Sequence, residues 1–368
     1  MRRIPALIVG GGPAGATLAL HLARAGLPHL LLERSVETGD ALCGGFLSGR
    51  TLAMLARMGI AADALNPAPV TRLRLLTRER VVEAPLRFPA RAVSRRRLDT
   101  LMLDAAARAG AAIERGTGVR AVTGNVARLD DGRELAADAI FLATGKHELR
   151  GLSRPGDARG GDPAVGLRVR LSASAALDRS VGDTIELHLV DRGYAGLVRQ
   201  EDGGANLCLA VRRSRLKQAG SPERLLAAIG AELPQLGERL AHRLSGSPVD
   251  AVANVPYGWR ARNGRAGLFR LGDQAAVIPS VAGEGMAIAM ASAAAAADAY
   301  ATGGPNASIA FQRALARRLW RPVGIASAAW HLAERPGMAA LALRAASARP
   351  QILSLLARLT RIDAALAG

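Results

Sequence analysis

This 368-residue chain is poor in aromatic residues, lysine and cysteine, and each scarcity bears on what it can do. Phe, Trp and Tyr together make up 3% of it, few for stacking the bases of a single-stranded nucleic acid. No basic helix or zinc motif offers another route to nucleic acid. Its two cysteines, Cys43 and Cys208, stand far apart without CxxC spacing, which argues against a disulfide framework and against a metal site. No window reaches the roughly 18 uninterrupted apolar residues of a spanning helix. The opening Met1-Arg2-Arg3-Ile4-Pro5 runs straight into a strand without the apolar stretch of a signal peptide, so a cytoplasmic protein is expected.

What is abundant is alanine, leucine and arginine. Hydrophobic residues reach 49% and mean hydropathy is +0.14, as in a globular protein with one large domain or two intertwined ones. The net charge of +18 is carried by arginine, since Lys146 and Lys217 are the only lysines. A positive field of this size attracts anionic lipid or an acidic substrate.

The strongest signal lies at the start. Ala6-Leu7-Ile8-Val9 enters the turn Gly10-Gly11-Gly12-Pro13-Ala14-Gly15, an apolar helix follows, and Leu30-Leu31-Leu32 ends in Glu33-Arg34. This is a strand-turn-helix-strand unit suited to a dinucleotide. Gly10 permits the tight turn, Gly12 lets the backbone approach a pyrophosphate, and Gly15 lets helix and strand pack closely. The helix N-terminus offers free N–H groups and a positive dipole end to the phosphates. Glu33, 18 residues beyond Gly15, can accept both ribose hydroxyls and would repel a 2′-phosphate in spite of Arg34. The motif by itself does not separate NAD from FAD.

Further along, Cys43-Gly44-Gly45 holds the backbone open with a thiol at its head. Patterning predicts a helix over 51–58, strands over 71–76 and 80–84, and a helix capped by Ser94 that opens on Arg95-Arg96-Arg97. Three arginines oppose the dipole there, so one is expected to serve an anion. A hairpin turns at Asp130-Asp131-Gly132 between strands at 126–129 and 134–135, and a buried strand at 139–142 ends in Ala143-Thr144-Gly145. Strands at 167–171, 184–190, 194–199 and 205–211 read as an antiparallel sheet without intervening helices, the floor of a pocket.

A second strong signal is the apolar run to Gly272-Asp273, followed by Pro279 and by Gly283-Glu284-Gly285-Met286 at the start of an alanine-rich helix. Asp273 can accept a hydroxyl, and the glycine pair aims backbone N–H groups at an electron-rich ligand edge. Residues 306–368 form a helical tail with nine arginines against Glu334 and Asp363. They read either as packed helices with a solvated basic face or as a peripheral membrane contact.

With both ends read, about 300 of the 368 residues resemble the FAD-dependent oxidoreductases with a glutathione-reductase-type FAD domain. That group holds the group A flavin monooxygenases and the geranylgeranyl reductases. The resemblance implies an α/β fold: a Rossmann-like FAD-binding domain of βββ-layered three-layer architecture, an inserted antiparallel-sheet substrate domain and a helical C-terminal tail. It divides the chain into a discontinuous FAD domain at 1–70, 92–150 and 262–305, a substrate domain at 71–91 and 151–261, and a C-terminal region at 306–368. It implies that Gly10, Gly12, Pro13, Ala14 and Gly15 hold the pyrophosphate and Glu33 with Arg34 the ribose end. Arg95 contacts the cofactor and the backbone of Val119 faces the adenine. Ala143, Thr144 and Gly145 match the family's strand end, and Asp273 after Gly272 binds the ribityl chain. Cys43, Gly44 and Gly45, with Pro279, Gly283, Glu284, Gly285 and Met286, lie beside the isoalloxazine.

The Trp-x-Trp-x-Ile-Pro of halogenases is absent, and of the Tyr-x-Trp-x-Phe-Pro of geranylgeranyl reductases only Tyr194 survives. The expected function is a monooxygenase that oxidises a small aromatic or polyketide-like substrate with FAD, dioxygen and NAD(P)H as transient reductant. One alternative is a flavin reductase that saturates a carbon–carbon double bond, with Cys43 or Tyr194 as proton donor. Another is a flavin-bearing accessory protein without small-molecule turnover.

Overall fold

The computed structural model describes residues 2–349 and 351–362. The strands are β1 (Arg2–Val9), β2 (Leu30–Glu33), β3 (Phe46–Leu47), β4 (Val70–Leu76), β5 (Val81–Ala92), β6 (Ile113–Arg115), β7 (Val119–Thr123), β8 (Val126–Leu129), β9 (Glu134–Leu142), β10 (Ala164–Leu171), β11 (Thr184–Val190), β12 (Gly193–Arg199), β13 (Ala205–Arg212), β14 (Asp250–Val255) and β15 (Leu268–Arg270). The helices are α1 (Pro13–Arg24), α2 (Gly49–Arg57), α3 (Ala62–Leu65), α4 (Arg95–Arg108), α5 (Ala175–Val181), α6 (Arg213–Ala219), α7 (Pro222–Glu232), α8 (Pro234–Leu240), α9 (Gly285–Gly303), α10 (Ser308–Ala333), α11 (Pro336–Ala348) and α12 (Gln351–Leu359).

The first sheet runs β6-β2-β1-β9-β8-β7, with β15 added to β9. β1, β2, β6, β9 and β15 are parallel. Ala6 to Val9 and Ile140 to Leu142 are buried without alternation, as a parallel strand covered on both faces requires. Helices α1, α4 and α9 cover one face through the small-residue surfaces that an alanine-rich sequence provides. The β7–β8 hairpin covers the other, with Val122, Ala127 and Leu129 against Leu7, Val9 and Ile140. These are the three layers expected. One edge of β9 serves two partners: residues 134–136 pair with β8, and Ile140–Leu142 pair with β15.

The second sheet runs β14-β10-β13-β12-β11-β4-β5-β3. Its outer face packs on α5, α7 and α8, and its inner face turns toward the first sheet and α10–α11.

Four local expectations are corrected. Helix α5, capped by the Ser174 hydroxyl, interrupts the strands expected to follow one another directly. β4 and β11 pair in parallel, so the sheet is mixed. β5 extends to Ala92 through Pro85 and Pro89, because residues 86–89 leave the ladder between the Arg72–Pro85 and Val70–Ala90 pairs, where a missing N–H costs no sheet bond. The strands expected at 134–135 and 139–142 are one continuous β9.

Candidate functional site

A cavity of about 1690 Å³ lies between the C-terminal ends of β1, β2, β9 and β15 and the inner face of the second sheet. Pockets for one small ligand are commonly about 300–1,000 Å³, so this one has room for a dinucleotide and a second molecule. It also sits where ligands bind in open α/β sheets, outside the carboxyl ends of the parallel strands.

At one end, Gly10 takes φ +104°, and a Cβ there would lie 2.7 Å from the Ala143 carbonyl oxygen. A Cβ on Gly15 would run into the Gly10 carbonyl, so both glycines are demanded by the closeness of α1 and β9 to the turn. Helix α1 begins without a side-chain cap, leaving its first N–H groups toward the cavity. The Glu33 carboxylate is fixed at the end of β2, accepting from the Gly11 N–H at 2.7 Å and the Ser35 N–H at 2.9 Å. Arg95 forms a bidentate pair with Asp99 at 2.7 and 2.8 Å, and its guanidinium sits 3.4 Å from where a Gly12 Cβ would be. Burial works against the Arg95 charge, but Asp99 outweighs it and holds the pKa above the usual value. A permanent cation thus lies beside the glycine turn, and it is the first of the three arginines.

At the other end, Asp273 follows Gly272 and pairs with Lys146 Nζ at 2.7 Å. Burial alone would lower the Lys146 pKa; the Asp273 carboxylate reverses this and raises it. Gly45 takes φ +72°, with a Cβ there 2.7 Å from the Val93 oxygen, and its N–H faces Cys43 Sγ at 3.5 Å. The Cys43 carbonyl accepts from Cys208 Sγ and from Asn206 Nδ2, each at 2.9 Å. Burial pushes the Cys208 thiol up to about 12. Glu284 precedes α9, is 4% exposed, and has an Oε2 without a hydrogen-bond partner among the described residues; burial pushes its carboxyl up to about 7. The Tyr194 hydroxyl donates to Ser280 Oγ at 2.7 Å, and the Tyr257 hydroxyl lies 2.5 Å from the same oxygen. Burial raises the pKa of both phenols, Tyr194 well above the usual value.

Of the residues singled out in the sequence, all line this cavity except Gly15, which faces β1, and Pro279, which enters the loop before Ser280. Lys146, Tyr257 and Ser280 were not anticipated there. The one available signal was that Lys146, one of two lysines in an arginine-rich chain, directly follows Gly145.

The residues fit FAD. Helices α1 and α9 both start without a side-chain cap and open onto the cavity. Two helix N-termini aimed at one space suit an anionic pyrophosphate at one and an electron-rich ring at the other. The FAD binding domain family matches residues 3–149. The chain is an FAD-dependent oxidoreductase. This flavoprotein is 29% identical over 322 residues to the menaquinone reductase of Mycolicibacterium smegmatis, across 82% of this chain and 77% of that one. In fold it is similar to a geranylgeranyl bacteriochlorophyll reductase-like protein from Thermoplasma acidophilum, with TM-score 0.74, 18% identity and coverage of 100% and 95%. It is likewise similar to PqsL, a probable FAD-dependent monooxygenase from Pseudomonas aeruginosa, with TM-score 0.69, 18% identity and coverage of 92% and 98%. No helix among its described residues is long and apolar enough to cross a membrane.

Proposed function

We propose that this flavoenzyme reduces a carbon–carbon double bond in an apolar, long-tailed lipid such as a prenylated quinone, with NAD(P)H as transient electron donor. The observation that carries the reading is the wall of the cavity beyond the glycine turns. Leu73, Leu75, Leu187 and Leu189 of the second sheet and Ala339 and Leu343 of α11 all line it. Such a wall holds an aliphatic tail and leaves a polar substrate unpaired. Tyr194, Ser280 and Tyr257 add three linked hydroxyls. Both phenols are neutral at physiological pH, the state that can give a proton to carbon and cannot take one from a phenolic substrate. The menaquinone reductase likeness supports the substrate class.

The chemistry supplied by bound, reduced FAD is hydride transfer. The chain's part is to seat the tail, keep water from the reacting carbons, and deliver a proton from Tyr194 Oη to the second carbon. Ser280 and the half-buried Tyr257 then restore that proton. Cys43, the other donor considered, has no hydroxyl relay of this kind beside it among the described residues: its sulfur accepts from the Gly45 N–H and its carbonyl from Cys208. The test is anaerobic incubation of FAD-loaded protein with NADPH and a menaquinone, which is expected to give, once the quinone ring is reoxidised, a product two hydrogens heavier with one side-chain double bond saturated. Oxygenation, the expectation drawn from the family resemblance, predicts the opposite: no product without air, and label from isotopic dioxygen in the product. That label would overturn the reductase reading.

A further inference from the structure

Helix α11, Pro-Gly-Met-Ala-Ala-Leu-Ala-Leu-Arg-Ala-Ala-Ser-Ala, holds one charged residue in 13. It buries Ala339, Leu343 and Ala346, a single stripe at i, i+4 and i+7 that packs over β5 and β11. The opposite side of such a helix is ordinarily charged or polar. Here it is Gly337, Leu341, Arg344, Ala345 and Ala348, with Met338 on its flank, all exposed. An apolar outer face on a surface helix calls for a non-aqueous neighbour.

The charges on α11 and α12, among the described residues, are of one sign. Arg335 and Arg349 bracket the helix, Arg344 lies within it and Arg358 is exposed on α12. Glu334, the acid just before the helix, points inward, gripping Arg212 at 2.6 and 2.8 Å. Of the nine large hydrophobic side chains exposed among the described residues, Leu332, Met338, Leu341 and Leu355 lie on the end of α10, on α11 and on α12, each 40–59% exposed. Val81 and Phe88 are on β5, which α11 packs over. Leu332 and Phe88 also line the cavity, so the apolar surface is continuous with its openings.

We propose that α11 and α12, with the adjoining end of α10, dock on an anionic lipid bilayer and open the cavity directly to it. Apolar side chains enter the interface while the arginines meet lipid phosphates. The purpose of such docking rests on the lipid-substrate reading above, whereas the apolar face and its arginines stand apart from it. Nucleic acid would want the arginines without the leucines, and a second copy of this chain would set arginine against arginine around a shared two-fold axis.

The test uses the FAD-loaded full chain and no substrate. Sedimentation with phosphatidylglycerol/phosphatidylcholine vesicles is expected to carry the protein down, and pure phosphatidylcholine far less. Arg335→Gln and Arg344→Gln each weaken binding about fivefold, and 0.5 M salt weakens it further. The double variant Met338→Glu/Leu341→Glu abolishes it, with flavin absorbance and circular dichroism unchanged. Equal binding to both vesicle types, or full binding by the double variant, overturns the proposal. A dimer in sedimentation velocity that the double variant dissolves also overturns it, by assigning the face to a second copy. Vesicle binding without anaerobic lipid reduction sinks the reaction alone; reduction in detergent without vesicle binding sinks the docking alone.

Discussion

Glu284 provides a test that needs no substrate. Its carboxyl titrates near pH 7 in the folded chain against an ordinary value of 4.5, because burial penalises the charged form. Arg361 and Arg50 pull it back only in part. A raised folded-state pKa means that the folded chain binds this proton more tightly than the unfolded one. The stabilisation is therefore complete below about pH 4.5 and is lost progressively as pH rises to about 7. A shift of this size corresponds to up to about 3 kcal/mol. Glu284→Gln keeps the shape and removes the ionisation, so the variant should gain on the wild type as pH rises and then hold a constant lead. For a chain this long, about 1–2 °C of Tm accompanies each kcal/mol, so a relative gain of about 3–6 °C is expected between pH 5 and pH 8. Differential scanning calorimetry of both proteins across that range reads it. A Tm difference independent of pH would refute the reasoning, because it would mean that Glu284 ionises as freely in the fold as in the unfolded chain.

Other outcomes follow from the same geometry. Gly12→Trp should purify without flavin colour, since an indole would fill the space between the glycine turn and Arg95; a yellow variant would defeat the cofactor assignment. Tyr194→Phe should retain FAD and the edge-on packing against Trp330 at 5.9 Å between ring centroids, yet lose about 10²–10⁴ in kcat. If it turns over at the wild-type rate, Tyr194 is not the proton donor. Glu334→Ala leaves the partly buried Arg212 uncompensated and should cost about 2–3 kcal/mol in urea unfolding, an unchanged midpoint counting against that reading.

The parts of this protein that local chemistry dictates were legible in its sequence. A continuous apolar strand, a glycine turn and an apolar helix admit few other arrangements, and Ser94 caps α4 as its place before Arg95 suggests. The helix α5 was missed because seven residues are too few for a periodicity to show, although Ser174 stood in the capping position. Two prolines hid the length of β5, since the bulge that tolerates them depends on the register of β4. The site was half legible for a similar reason. Glycines and Glu33 act through their own backbone or their place at a strand end. Lys146 acquires its meaning from Asp273, 127 residues later, and Tyr194, Ser280 and Tyr257 meet from three separate segments. Convergence of that kind leaves no pattern along the chain.

The shared edge of β9 bears on how the protein is made. Residues 134–136 find β8 already synthesised, but Ile140-Phe141-Leu142 must wait for β15 at Leu268–Arg270. At about 5–20 residues per second, the ribosome leaves that apolar edge open for about 6–25 s. An unpaired strand edge during that interval is a template for another nascent chain. Substitutions in β15 should accordingly appear first as lost soluble yield, with the molecules that do mature keeping their full complement of flavin.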